Sequence, residues 1–258
     1  MAFRTADFSR LVRFNSANSC DFLELCESAW DKKIAEDDAK PKSRTIAPSS
    51  AYCMKQNWFR LRGVEPDKPK TSDRGLDFTA QVGTSCHENL QSLLKATLKD
   101  DWLDVGEFIR TNCTWYSDCE IEQHGLETRI AISNPPIRFA CDGLLRWKGE
   151  IYLLEIKTSE FSSWDSLTAP KPIHIDQVKS YASLLHVNHV LMIYQDRQYG
   201  GLKCFELRIS DEEIKATWDT FYYIVDMADK NLPPKGLPSG DSRCSASMCP
   251  YHKKCKEW

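Results

Sequence analysis

From Ile151 to Phe161 the chain reads IYLLEIKTSEF, and no other stretch restricts the fold as much. Ile-Tyr-Leu-Leu is a buried-looking, strand-forming run. It ends in Glu155, one apolar residue and Lys157. On a strand, positions i and i+2 share a face. Glu155 and Lys157 therefore stand side by side, with Ile156 turned away. Such an ending carries a same-face salt bridge or builds a site.

The surrounding pattern makes this strand part of an α/β sheet covered by helices. A helix fits 79–98, with Val82, Leu90, Leu93, Leu94 and Leu98 on an apolar stripe. Strands fit 120–132, 137–147 and 150–158, with a turn at Lys148-Gly149-Glu150 joining the last two. A helix then fits 173–186, two strands fit HVLMIYQD and LKCFELRI, and a helix with an acidic first turn fits 211–230. Upstream, Ser49 or Ser50 caps a helix that Gly63 stops, and 65–75 reads as a loop. DFLELCESAW is a helical candidate, and 31–44 reads as a solvated charged connection. The expected division is a segment 1–48 of uncertain structure, a core at 49–230 and a cysteine-rich tail at 231–258.

With 258 residues, 41% of them hydrophobic, the chain has material for one large domain with appendages. The 34 basic and 37 acidic residues leave a net charge of -3. Bulk charge therefore advertises no polyanion partner, though metal ions can supply positive charge at a site. Apolar runs such as VLMIY are too short to cross a bilayer, and MAFRTADFSRLVRF has no apolar signal core. A soluble, cytoplasmic protein without membrane contact is expected. The 11 cysteines are then expected as thiols rather than disulfides.

Asp142, in RFACDGLLRW, falls on the strand that pairs with the Glu155 strand if the turn lies near 148–150. Two carboxylates on neighbouring strands can share a hard cation such as Mg2+ or Mn2+. Lys157 beside them can hold an attacking water, the equipment for phosphodiester hydrolysis. Gly83 and His87 lie four apart on the helix before the strands, as do Gln177 and Tyr181 on the helix after them.

In this ordered set the chain resembles the RecB-like branch of the PD-(D/E)XK nucleases. It is most similar to the iron–sulfur nucleases of the CRISPR-associated exonuclease and AddB type, over roughly 49–258. The resemblance implies an α/β nuclease core, its central mixed sheet flanked by helices. It implies a metal role for His87, Asp142 and Glu155, a catalytic role for Asp142, Glu155 and Lys157, and a DNA- and site-orienting role for Gln177 and Tyr181. It implies Cys53, Cys244, Cys249 and Cys255 as ligands of a 4Fe-4S cluster, a subdomain joining N- and C-terminal segments. It also implies hydrolysis of DNA from its ends. Two departures stand out: Cys141 precedes Asp142 where the motif's name has Pro, and the tail reads Cys-x4-Cys-x5-Cys where Cys-x2-Cys-x5-Cys is common.

Several alternatives stay open at this stage. A local zinc site can use Cys244, Cys249, His252 and Cys255 without Cys53, since thiolates suit both metals. The other cysteines, among them Cys20, read as structural or incidental. KQNWFRLR at 55–62 offers aromatics and bases for single-stranded nucleic acid, or a helix with Trp58 or Phe59 in the core. Against the exonuclease stand a catalytically silent nucleic-acid-binding subunit and a restriction-type endonuclease.

Overall fold

The computed structural model describes residues 21–40, 43–67, 73–116, 118–238 and 240–258; Cys20 lies outside them. Contacts divide the chain into two units. The smaller holds α1 (Asp21–Asp38) and the opening of α3 (Arg74–Leu98). Arg74 grips Asp31 with Nε and Nη2 at 2.7 and 2.8 Å, and the Trp30 indole donates to Asp77 at 2.6 Å. The charged stretch after Trp30 is thus helix through Asp38 rather than a connection. Its Lys32–Glu36 and Lys33–Asp37 pairs have the i,i+4 spacing that supports a helix.

The larger unit is built on a five-stranded sheet. In order across it lie β1 (Trp102–Leu103), β5 (Gly143–Trp147), β6 (Glu150–Ser159), β7 (His189–Asp196) and β8 (Leu202–Arg208). Only β6 and β7 run parallel. A parallel pair needs a crossover, and it is made by α5 (Phe161–Asp165) and α6 (Pro172–Leu185). β5 and β6 form a tight hairpin in which Lys148 and Gly149 both have positive φ, 53° and 86°, as two-residue hairpin turns require. A second, antiparallel sheet holds β2 (Cys119–His124), β3 (Glu127–Ser133) and β4 (Pro136–Cys141). The stretches expected as single strands over 120–132 and 137–147 are therefore each two strands. One breaks at a turn where Gly125 has φ 62°, the other at Asp142.

Alternation along β6 sorts its side chains. Tyr152, Leu154 and Ile156 pack with Leu90, Leu94 and Leu98 of α3. Leu153 joins the main core with Val178, Ala182 and Leu185 of α6, backed by α7 (Asp211–Asp229) and α2 (Met54–Leu61). Leu93 leaves the expected stripe and is 62% exposed, because 90, 94 and 98 fix the buried line and 93 falls on its flank. Neither Ser49 nor Ser50 caps α2. Both belong to a single 3-10 turn, and the helix starts after Cys53. Trp58 and Phe59 are fully buried, so 55–62 follows the core reading. A short helix, α4 (Val105–Asn112), leads into β2, and α8 (Lys254–Glu257) closes the tail.

Candidate active site

Asp142 occupies the step between the two sheets. Gly143 pairs with Leu154, and carrying that register back one residue sets Asp142 opposite Glu155. Gly143 is where it is because a Cβ there would come within 2.8 Å of the Trp102 ring. The buried Asp142 carboxylate is shared: Oδ2 accepts the Ile156 backbone N–H at 2.7 Å, and Oδ1 lies 3.3 Å from His87 Nδ1. Gln91, one turn beyond His87 on α3, donates to the Asp142 carbonyl at 2.6 Å.

On β6, Glu155 is 3% exposed, and its Oε1 lies 2.6 Å from Lys157 Nζ. Lys157 Nζ also donates to Gln177 Oε1 at 2.9 Å, and Gln177 Nε2 reaches Tyr181 Oη at 2.6 Å. Glu155, Lys157, Gln177 and Tyr181 thus form a continuous relay of four polar side chains from β6 to α6, with Asp142 and His87 beyond its Glu155 end. Burial, which outweighs the pull of Lys157 and is reinforced by the Asp142 charge, pushes the Glu155 carboxyl up to about 7. Burial works against a charged His87, but bonding to Asp142 and the Asp142 and Glu155 charges outweigh it, so its pKa is raised. Burial, then Glu155, holds the Tyr181 phenol well above its ordinary value. Gly83 gains no steric warrant: an added Cβ would meet only Thr158 Oγ1, at an ordinary 3.4 Å.

Among the described residues, no group of three or more His, Cys, Asp or Glu side chains is arranged to hold a metal ion as it stands. Each carboxylate is instead engaged by a neighbouring base, His87 on Asp142 and Lys157 on Glu155. The donor chemistry nonetheless fits a hard divalent cation. The buried Asp142 has the His87 imidazole at 3.3 Å and lies across the β5–β6 pairing from the buried Glu155, and a positive charge beside them would relieve the raised Glu155.

The structure adds residues that the sequence did not single out. Gln91 was findable, lying four after His87 on the same helix face. Tyr194 pairs with Lys157 across the β6–β7 ladder, and its Oη meets His174 Nδ1 at 2.8 Å and the Lys171 N–H at 3.0 Å. Burial, then Lys157 and Lys171, lowers His174 to about 4, so it is a neutral imidazole. A groove of about 370 Å³ reaches Tyr181 from the second sheet, with Arg129 and Arg138 on its wall.

Cys53, Cys244, Cys249 and Cys255 line one small cavity, together with Tyr52, Phe59 and Arg243; His252 is not on its wall. Its Nδ1 is buried without a partner. Burial raises the thiols of Cys53 and Cys249. Backbone groups of Gln56 and Leu237 pull Cys53 the other way, and the neighbouring cysteines add to the rise at Cys249. Thiolates are the donors a zinc ion or an iron–sulfur cluster takes, but these four share a cavity wall without being arranged to hold a metal as they stand. The tail is also seated on α2 by contacts that involve no cysteine side chain. Tyr251 stacks on Phe59 at 5.0 Å, Trp258 meets Trp58 at 5.5 Å, and Lys55 donates to the Cys255 carbonyl at 2.9 Å.

No family model and no curated protein matches the sequence. Among solved structures, the chain is similar to SSO0001 at 15% identity and a TM-score of 0.49, covering 88% of this chain and 94% of that one. It is similar to an alkaline exonuclease, LHK-Exo of Laribacter hongkongensis, at 14% identity and a TM-score of 0.42, over 79% and 93% of the two chains. The LHK-Exo complex with dAMP gives 14% and 0.42, over 80% and 93%. No helix among the described residues is long and apolar enough to cross a membrane.

Proposed function

We propose that the chain is a divalent-metal-dependent nuclease that hydrolyses phosphodiester bonds from DNA ends. The observation that carries this reading is the buried Asp142–Glu155 pair, with Lys157 held at 2.6 Å from Glu155 and steered by Gln177. A salt bridge serving stability alone has no need of a second buried carboxylate beside it, which only adds repulsion. Asp142, Glu155 and His87 would hold Mg2+ or Mn2+, which when bound supplies positive charge for the attacking oxygen and the phosphate. Lys157 orients the attacking water toward phosphorus. Gln177 and Tyr181 fix the rotamer of Lys157, because the amide bridges both.

The cavity that gathers Cys53 with the three tail cysteines supports a 4Fe-4S cluster over a zinc site using His252. Its role in this reading is structural. The substrate is DNA with an open end.

The test is incubation of end-labelled linear single- and double-stranded DNA with Mg2+ or Mn2+. Wild type should digest linear DNA and largely spare closed duplex circles, and Lys157→Ala should digest neither while folding normally. Digestion by Lys157→Ala at the wild-type rate, or no digestion by wild type, overturns the reading. Discrete fragments from closed circles would make the protein an endonuclease.

A further inference from the structure

Beyond Lys157 the same face of β6 leads to Ser159, whose Oγ is buried without a partner, and then into α5. Phe161 and Trp164 of α5 stack with ring centroids 6.1 Å apart and planes 29° apart. Tyr199, from the turn after β7, meets Phe161 edge to face at 5.2 Å and 89°. The three rings make a corner open to solvent: Phe161 is 38% and Tyr199 78% exposed.

The corner is firmly built. Trp164 donates its indole N–H to the Tyr194 carbonyl at 3.0 Å, and Tyr194 is the ladder partner of Lys157. Lys203 Nζ sits 4.6 Å from the Trp164 ring centre, and a Cβ on Gly201 would strike that ring at 2.7 Å. The Tyr199 turn is fixed by Asp196, whose carboxylate accepts from the N–H groups of Gln198 and Tyr199 at 2.9 and 3.0 Å. Gln198 in turn accepts the Phe161 N–H at 3.3 Å. Exposed aromatic rings held this rigidly lose little entropy when something stacks on them.

Lys157 and Phe161 are four residues apart, at most about 14 Å of extended chain. Lys171, whose N–H binds the Tyr194 hydroxyl, adds a cationic residue at the same strand ends, as does Arg197, whose N–H binds the Ser159 carbonyl and whose guanidinium lies 3.8 Å from the exposed Glu160 carboxylate. Stacking rings beside cations match an unpaired strand, whose bases offer faces and whose phosphates offer charge. A base inside a duplex has both faces covered and cannot use the corner.

We propose that the Phe161–Tyr199 corner stacks an unpaired nucleobase of the strand whose phosphate lies at Lys157, so that the site selects a frayed or single-stranded end. This rests on the nuclease reading of the Lys157 site, and the experiment separates the two. Binding of an end-labelled single-stranded oligonucleotide is measured by fluorescence anisotropy with calcium in place of magnesium. The probes are a normal strand and one with abasic sites at its end.

Phe161→Ala and Tyr199→Ala should each weaken binding of the normal strand about tenfold, with thermal unfolding unchanged because both rings are exposed. The abasic strand should bind wild type as weakly as the normal strand binds the variants, and the variants should not weaken it further. Unchanged affinity in both variants, or equal affinity of wild type for the two strands, overturns the stacking corner. If Lys157→Ala has meanwhile lost cleavage, the nuclease reading stands. No cleavage by wild type overturns the nuclease reading, whereas strand affinity is read independently of cleavage. Should the variants change the oligomeric state and not strand affinity, the corner is a protein contact and the proposal falls.

Discussion

Glu155→Gln should make the protein more stable relative to wild type as pH rises, even though it removes half of an ion pair. In the folded chain burial carries this carboxyl from its ordinary 4.5 to about 7. The folded state therefore keeps a proton that the unfolded chain has released. Stability from such a group is full below the unfolded value and is lost as pH climbs through the folded one. The difference of about 2.5 units, at about 1.36 kcal/mol each, is on the order of 3 kcal/mol. Glutamine keeps an oxygen for Lys157 and has nothing to titrate, so any fixed cost of losing the ion pair does not vary with pH. The raised His87, which also feels Glu155, works in the same sense, since its contribution is lost as pH rises past its folded pKa. The assay is urea denaturation of both proteins in chelator at constant ionic strength, from below 4.5 to above 7. The gap in unfolding free energy should open in favour of the variant across that window and then level off. A constant gap, or one that closes, would show that Glu155 is not a strained, desolvated carboxyl and would refute the reasoning.

Protein purified without oxygen should be brown, and Cys53→Ala, Cys244→Ala, Cys249→Ala or Cys255→Ala should bleach it, while His252→Ala should not; visible absorbance checks this. The same cysteine variants should open 240–248 to protease before 250–258, which Tyr251 and Lys55 hold independently. Gly143→Ala drives a Cβ to within 2.8 Å of Trp102 and should cost about 1–3 kcal/mol, the usual price of overpacking. It should also lower cleavage by shifting Asp142, with unfolding and digestion rates measured together.

The Glu155–Lys157 pairing was legible because a strand has only two faces, so alternation alone decides which side chains are neighbours. That Asp142 lies on the strand beside Glu155 was legible too, but the direct opposition was not: the expected turn at Lys148-Gly149-Glu150 counts one residue off, and only the two-residue turn, with Trp147 opposite Glu150, brings 142 against 155. No such counting exists for a parallel pair, and Tyr194, which the β6–β7 ladder brings opposite Lys157, left no trace in the pattern. The break at Asp142 was equally hidden. A chain that leaves one sheet for another keeps its extended backbone and its apolar residues, and only the partners change. The charged run after Trp30 misled for a different reason: polarity marks solvent, which bathes helices and loops alike. The seat of the tail left no trace in the pattern either, because two ring pairs and one bond to a backbone carbonyl can hold a segment whose spacing follows no helix or strand period.

The seat of the tail on α2 also has an order in time. Phe59 stacks on Tyr251, and Cys53 shares its cavity with three cysteines of which the earliest is Cys244. At about 5–20 residues per second of synthesis, the ribosome takes roughly 10–40 seconds to travel from Cys53 to Cys244. Through that interval the residues of α2 wait for Tyr251, although α7 is made in time to take the Trp58 indole at Met227, and every residue of the relay on β6 and α6 precedes the tail. A segment made late therefore covers a residue made early, so a chain cut short before Cys244 bares one face of Phe59 and leaves Cys53 without the three later cysteines.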